Sequence, residues 1–149
     1  MIAYVSTKSV MIMNNENFLA SNPDTSAERL SSLSHDASSD VRRHVAENPH
    51  APISALLDLI HDSDSTVRYS AIGNPHLTDE ALETLQHDLN PDVRYRLASN
   101  HQVPTHVLNH LTQDENPYVA FRAKTTLHRL LDGVALEHRA KQGEKKHKW

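Results

Sequence analysis

The feature that most constrains this chain is an internal period of 26 residues. Val41, Val67, Val93 and Val119 are spaced at that interval, and so are Asn22, Asn48, Asn74 and Asn100. The acidic column Asp36, Asp62, Asp88 and Asp114 keeps it, as do the leucine pairs Leu30/Leu33, Leu56/Leu59, Leu82/Leu85 and Leu108/Leu111. Columns aligned without insertion mark a repeat array, in which each module buries its apolar face only by lying against its neighbours.

Each repeat reads as two helices. Asp40, Thr66 and Asp92 stand directly before the valine column, where a short oxygen-bearing side chain can cap a helix start. Val41 and Val45, or Val67 and Ala71, then lie four apart on one helical face. Asn-Pro at 22–23, 48–49 and 74–75 ends this first helix, because the residue before a proline is pushed out of the α region. The first helix is therefore about two turns long, α or partly 3₁₀. A second helix begins near Pro52, Thr78 or Pro104 and runs through the leucines to the aspartate column.

The boundaries follow. Residues 15–118 form the repeat domain, divided into 15–40, 41–66, 67–92 and 93–118. Residues 1–14 are expected to cap its start, where Asn15 and Glu16 replace the usual Val and Arg. Thr126-Leu127 replaces Asn-Pro in the last register, while Ala120, Ala123, Leu127, Leu130, Leu131 and Val134 continue at helical spacing. One long capping helix over 119–140 is expected despite Gly133, followed by a basic disordered tail at 141–149.

The string VRRHVAENPHAPISALLDLIHD resembles the leucine-rich repeat variant family, whose modules read V-R, V-A-x-N-P-x-x-P and L-x-x-L-x-x-D. The resemblance extends over roughly 15–130 and departs where His101 replaces the first proline and Thr78 or Ser26 the second. It implies an all-α, right-handed α-solenoid of about four two-helix repeats, α plus short α or 3₁₀, and no shared catalytic activity. The iron–sulfur site sometimes attached to such repeats needs cysteine, and this chain has none. The pairs Asp36/Arg42, Asp62/Arg68 and Asp88/Arg94 are similar to the ladder of HEAT-type repeats, a structural role in which each arginine bridges carboxylates of its own and a neighbouring repeat.

Other positions are candidates for partner contact. Arg43, Tyr69, Tyr95 and Phe121 lie two residues after each valine, about 200° round the helix from it, and should point away from the core. With Arg96 and Arg122 beside them they form an aromatic and basic stripe. Such a stripe suits a protein partner or, by stacking, nucleic acid, unless the rings merely pack between repeats. Residues 1–121 carry a charge of −9 and residues 122–149 carry +5, so Arg129, Lys145 and Lys146 extend the basic end.

Excluded classes are equally informative. Without cysteine there is no thiolate metal site, disulfide or cysteine nucleophile, and three glycines provide no phosphate loop. No nucleophile stands beside a base and an orienting acid, so an enzyme is not expected. The histidine column His35, His61 and His87 places equivalent rings one repeat apart, too far to share a metal. His106 and His110, four apart with Asp114 a turn beyond, suit chelation by spacing but lack a second helix of ligands. No metal or cofactor is assigned. MIAYVSTKSVMIM contains no signal-peptide core and no membrane span follows, so the expectation is a cytoplasmic protein that serves as a non-catalytic scaffold for protein–protein interaction, with a nucleic-acid-binding superhelix as the alternative.

Overall fold

The computed structural model describes the backbone of residues 15–145 and the side chains of residues 15–133. Among the described residues the regular structure is entirely helical, without strands. Helix α1 covers residues 15–21. It is followed by α2 (Ala27–Leu33), α3 (Ser39–Glu47), α4 (Ile53–Leu59), α5 (Ser65–Ala71), α6 (Asp79–Leu85), α7 (Pro91–Ser99), α8 (Thr105–Leu111) and α9 (Pro117–Lys145). The starts of α3, α5, α7 and α9 recur at the period of the valine column, and so do those of α2, α4, α6 and α8.

Helices of seven to nine residues are marginal alone in water, so packing holds them. The chain divides into two compact units, Met1–Leu82 and Glu83–Trp149, with the break inside α6. In the first unit α3 packs along α5. Its core is built from the predicted columns: Leu30, Leu33, Val41, Val45, Leu56, Leu59, Val67 and Ala71 are all buried. In the second unit α9 packs against both α7 and α8, burying Val93, Leu97, Val107, Leu108, Leu111, Val119 and Ala123. Each fully buried aliphatic side chain contributes about 1.5–3 kcal/mol.

Helix starts lie two residues earlier than expected. Asp64, Asn90 and Asn116 accept from the backbone N–H groups of Thr66, Asp92 and Tyr118 at 2.8, 2.8 and 2.9 Å. Thr66 and Asp92 are thus second-position residues of their helices and not the caps. Both positions carry short polar side chains, and spacing alone does not say which one accepts the bond. The second helices start as anticipated, at Pro52 and Pro104 and with Thr78 Oγ1 accepting from Ala81 N. The Asn-Pro stop also operates: Asn48 N and Asn74 N donate to the carbonyls three residues back, the tightened last turn of an otherwise α-helical segment.

The closing helix is longer than expected at both ends. It starts at Pro117, two residues before the expected 119, and its backbone continues through Lys145, so 141–145, assigned to a disordered tail, are helical. Ala140, Lys141, Gln142, Glu144 and Lys145 are all good helix formers, and the one glycine among them costs only about 1 kcal/mol. Leu131, one of the residues at helical spacing, is exposed. Val134, the cap segment 1–14 and the end of the tail at 146–149 fall outside the described side chains.

Candidate interaction surface

The aspartate column has two jobs. Each carboxylate Oδ1 of Asp36, Asp62, Asp88 and Asp114 accepts from the backbone N–H two residues on, closing the turn that leads into the next helix. Asp62 and Asp114 also grip an arginine twenty residues earlier. Arg42 donates from Nε and Nη2 to Asp62 at 2.6 and 2.9 Å, and Arg94 donates the same way to Asp114 at 2.8 and 3.0 Å. The remaining nitrogen, Nη1, donates to the backbone carbonyl of Asp36 from Arg42, of Asp62 from Arg68 and of Asp88 from Arg94.

At Arg42 and Arg94 the ladder differs from the expectation in one respect: the aspartate six residues before the arginine contributes its backbone carbonyl. Burial alone would raise the pKa of Asp62 and Asp114. The arginine hydrogen bonds, with help from the capping N–H, outweigh it and hold both carboxyls below their ordinary value. Arg42 and Arg94 are raised, chiefly by the same hydrogen bonds.

A second ladder was not visible in the sequence. Asn48 Nδ2 donates to the carbonyls of Ala20 and Asn22, and Asn74 Nδ2 to those of Ala46 and Asn48. Both asparagines are buried, and their Oδ1 atoms accept from His50 N and His76 N. At Asn48 and Asn74 the column that reads as a helix stop also ties a repeat to the carbonyls of the one before it. Only its period hinted at this.

The candidate contact residues divide between the units. In the first, Arg43 on α3 is bound along its own helix, with Nη1 at 3.0 and 3.1 Å from the Glu47 carboxylate and Nε 3.8 Å from Asp40. Glu47 also accepts from Ser70 on α5. Tyr69, on α5, is exposed, and α4 shows Ile53 and Leu57 to solvent, a pair the sequence reading passed over.

In the second unit Tyr95 on α7 meets Arg122 on α9. Arg122 Nε and Nη2 both donate to the tyrosine oxygen, at 3.0 and 2.8 Å. Phe121 beside it is 73% exposed and Tyr118, one turn earlier, 77%. Arg96 is partly buried and Arg129 exposed on α9. Lys145 ends that helix with only its backbone described, and Lys146 lies outside the described residues. The rings and cations of α7 and α9 thus come together in part: Tyr95 and Arg122 engage each other, while Phe121 and Tyr118 face solvent.

The histidines sort differently from their spacing. His106 Nε2 lies 2.7 Å from Glu83, whereas His110, its neighbour one turn on, meets His87 edge-to-face with ring centroids 4.9 Å apart. The two do not act as a chelating pair. Among the described residues no group of three or more histidine, aspartate or glutamate side chains is placed to hold a metal ion. No described helix is long and apolar enough to cross a membrane.

Residues 40–64 match the family model of the leucine rich repeat variant. That segment runs from the second residue of α3 through α4 to the cap of α5, one complete two-helix repeat, and it contains the motif from which the resemblance was read. Comparison with curated proteins and with solved structures returned no match.

Proposed function

We propose that the protein is a non-catalytic helical-repeat scaffold that binds another protein through the α7–α9 face of its second unit, with Phe121 as the anchor. The observation that carries this reading is the exposure of Phe121 and Tyr118 on a well-packed helix. A large ring held in water on a rigid element loses little further freedom on binding and gains about 1.5–3 kcal/mol when buried. Arg122, fixed by the Tyr95 hydroxyl, supplies an oriented cation at its edge. Aromatic and arginine side chains together are the residue types that dominate protein interfaces.

The charge placement favours a protein over a nucleic acid. Arg43 is offset by Glu47 and Asp40, and Arg122 spends two of its donors on Tyr95, so neither presents a free fork to a phosphate. The chain as a whole is acidic.

A photo-reactive benzoylphenylalanine placed at position 121 of the full chain tests the proposal in cells. After irradiation and nuclease digestion it should give a discrete protein adduct, absent when the probe is moved to the exposed Glu28 on α2. The adduct should weaken when Tyr118→Ser is added. An adduct that nuclease destroys would transfer the surface to nucleic acid, and no adduct at 121 would end the reading.

A further inference from the structure

Two exposed patches depart from the repeat. The positions of Ile53 and Leu57 on α4 are held by Ala27 and Ser31 on α2, by Asp79 and Glu83 on α6, and by Thr105 and Asn109 on α8. Only α4 carries two large apolar side chains there, and they are 50% and 40% exposed. The position of Tyr118 on α9 is held in the other repeats by Asp40, Thr66 and Asp92. Packing of a repeat requires neither the aliphatic pair nor this ring, because small or polar residues serve at the equivalent places. We propose that the two departures fit each other: the Tyr118–Phe121 ridge of one molecule docks on the Ile53–Leu57 row of a second copy, so that chains associate head to tail. This names the partner of the Phe121 face and rests on that face being a protein-binding one.

Charge selects a second copy as the occupant. Glu28, Asp58, Asp79 and Glu80 are exposed on α2, α4 and the first turn of α6, and the one arginine or lysine in these segments, Arg29, is bound to Glu16. The apolar row on α4 is thus set in an acidic surface. The ridge on α9 is set in a basic one, with Arg122, Lys124 and Arg129 beside it against Asp132. Like charges disfavour a symmetric pairing of α9 with α9 or of α4 with α4, whereas the acidic and basic patches attract each other. One chain carries both.

The helical spacings agree. Tyr118 and Phe121 form an i,i+3 ridge, and Ile53 and Leu57 an i,i+4 row. That combination lets two helices pack with their axes nearly aligned, about 20° apart. Four side chains and their charged surround make a small contact beside the roughly 1,600 Å² of a standard interface, so the association is reversible and on the order of micromolar or weaker. The two patches differ, so the contact is heterologous. Each added copy leaves one patch of each kind unfilled, and assembly continues until a ring closes or a filament forms.

Sedimentation velocity of the full chain tests this, over loading concentrations from about 10 µM to 1 mM, the range for a contact of this size. The average mass should rise with concentration past that of a dimer and fall when salt is added, since the charged surround is solvent-exposed. Phe121→Ser removes the ridge, and Ser54→Arg sets a bulky cation beside the apolar row. Both positions are exposed, so circular dichroism should show each variant folded. Each variant alone should stay monomeric, and an equimolar mixture should form one-to-one dimers that grow no further, because each variant supplies the patch the other lacks. A wild-type chain or a mixture that stays monomeric overturns the pairing, as does a dimer that survives either substitution alone. The benzoylphenylalanine probe at 121 keeps the two readings apart: an adduct with a different protein and no self-association ends this one and leaves the binding face in place, while no adduct ends both.

Discussion

Arg94 holds Asp114 by two parallel hydrogen bonds, and the pair is nearly dry: 9% of the arginine side chain and 6% of the aspartate side chain reach solvent. The link joins α7 to the turn before α9, so it fixes the approach of the closing helix. Breaking such a pair from one side leaves the other charge stranded in a poorly solvated place. Asp114→Asn should cost about 3 kcal/mol, the low end for a buried pair, since Arg94 keeps the Asp88 carbonyl and Glu115. Urea denaturation of the variant measures it. A loss below about 0.5 kcal/mol would mean that the pair behaves like an exposed one.

Acid should act through the same groups. Asp62 and Asp114 have folded pKa values below the unfolded carboxyl value of about 4. A depressed folded pKa contributes stability that is complete above the unfolded value and is lost as pH falls through the folded one. These two groups should therefore leave stability unchanged between pH 7 and about 5 and erode it below about 4. Urea midpoints along an acid series should show this, with a shallower fall in Asp114→Asn, which has one of the two carboxyls removed.

Asn74 is the more demanding test of the buried amides. Its Nδ2 serves two carbonyls at 2.9 and 2.8 Å and its Oδ1 one N–H at 3.0 Å. Asn74→Ala strands all three and should cost roughly 2–3 kcal/mol. Asn22, in the same column but only partly buried and bonded to Asp24 N, should lose less than about 1 kcal/mol on the same change. Equal losses at the two positions would show that the column matters as a turn and not as a tie between repeats.

Gly133 should be improvable. It lies exposed inside α9, with nothing within 4 Å of where a Cβ would stand and no left-handed backbone to require glycine. Gly133→Ala should stabilise the chain by about 0.5–1 kcal/mol by restricting the unfolded state and favouring the helix. Circular dichroism during thermal melting would detect the gain, and a loss would show that the helix needs a break there.

The sequence by itself determined the all-helical class, the two-helix rhythm, the proline stops and the buried valine and leucine columns. Periodicity suffices for these because an apolar residue that recurs with the helical and the modular period has only the seam in which to escape water. Only the tertiary structure decided what the polar columns do. Arg42 and Arg94 reach forward twenty residues for a carboxylate, Asn48 and Asn74 reach back for carbonyls, and His110 turns to His87 and away from His106. A column fixes which residue type returns, not the direction of its hydrogen bonds, since donors and acceptors on several sides of it lie within reach of a flexible polar chain. The length of α9 was obscure for a related reason: charge and low hydropathy mark a solvated segment, and helical propensity along that segment decides whether it is also ordered.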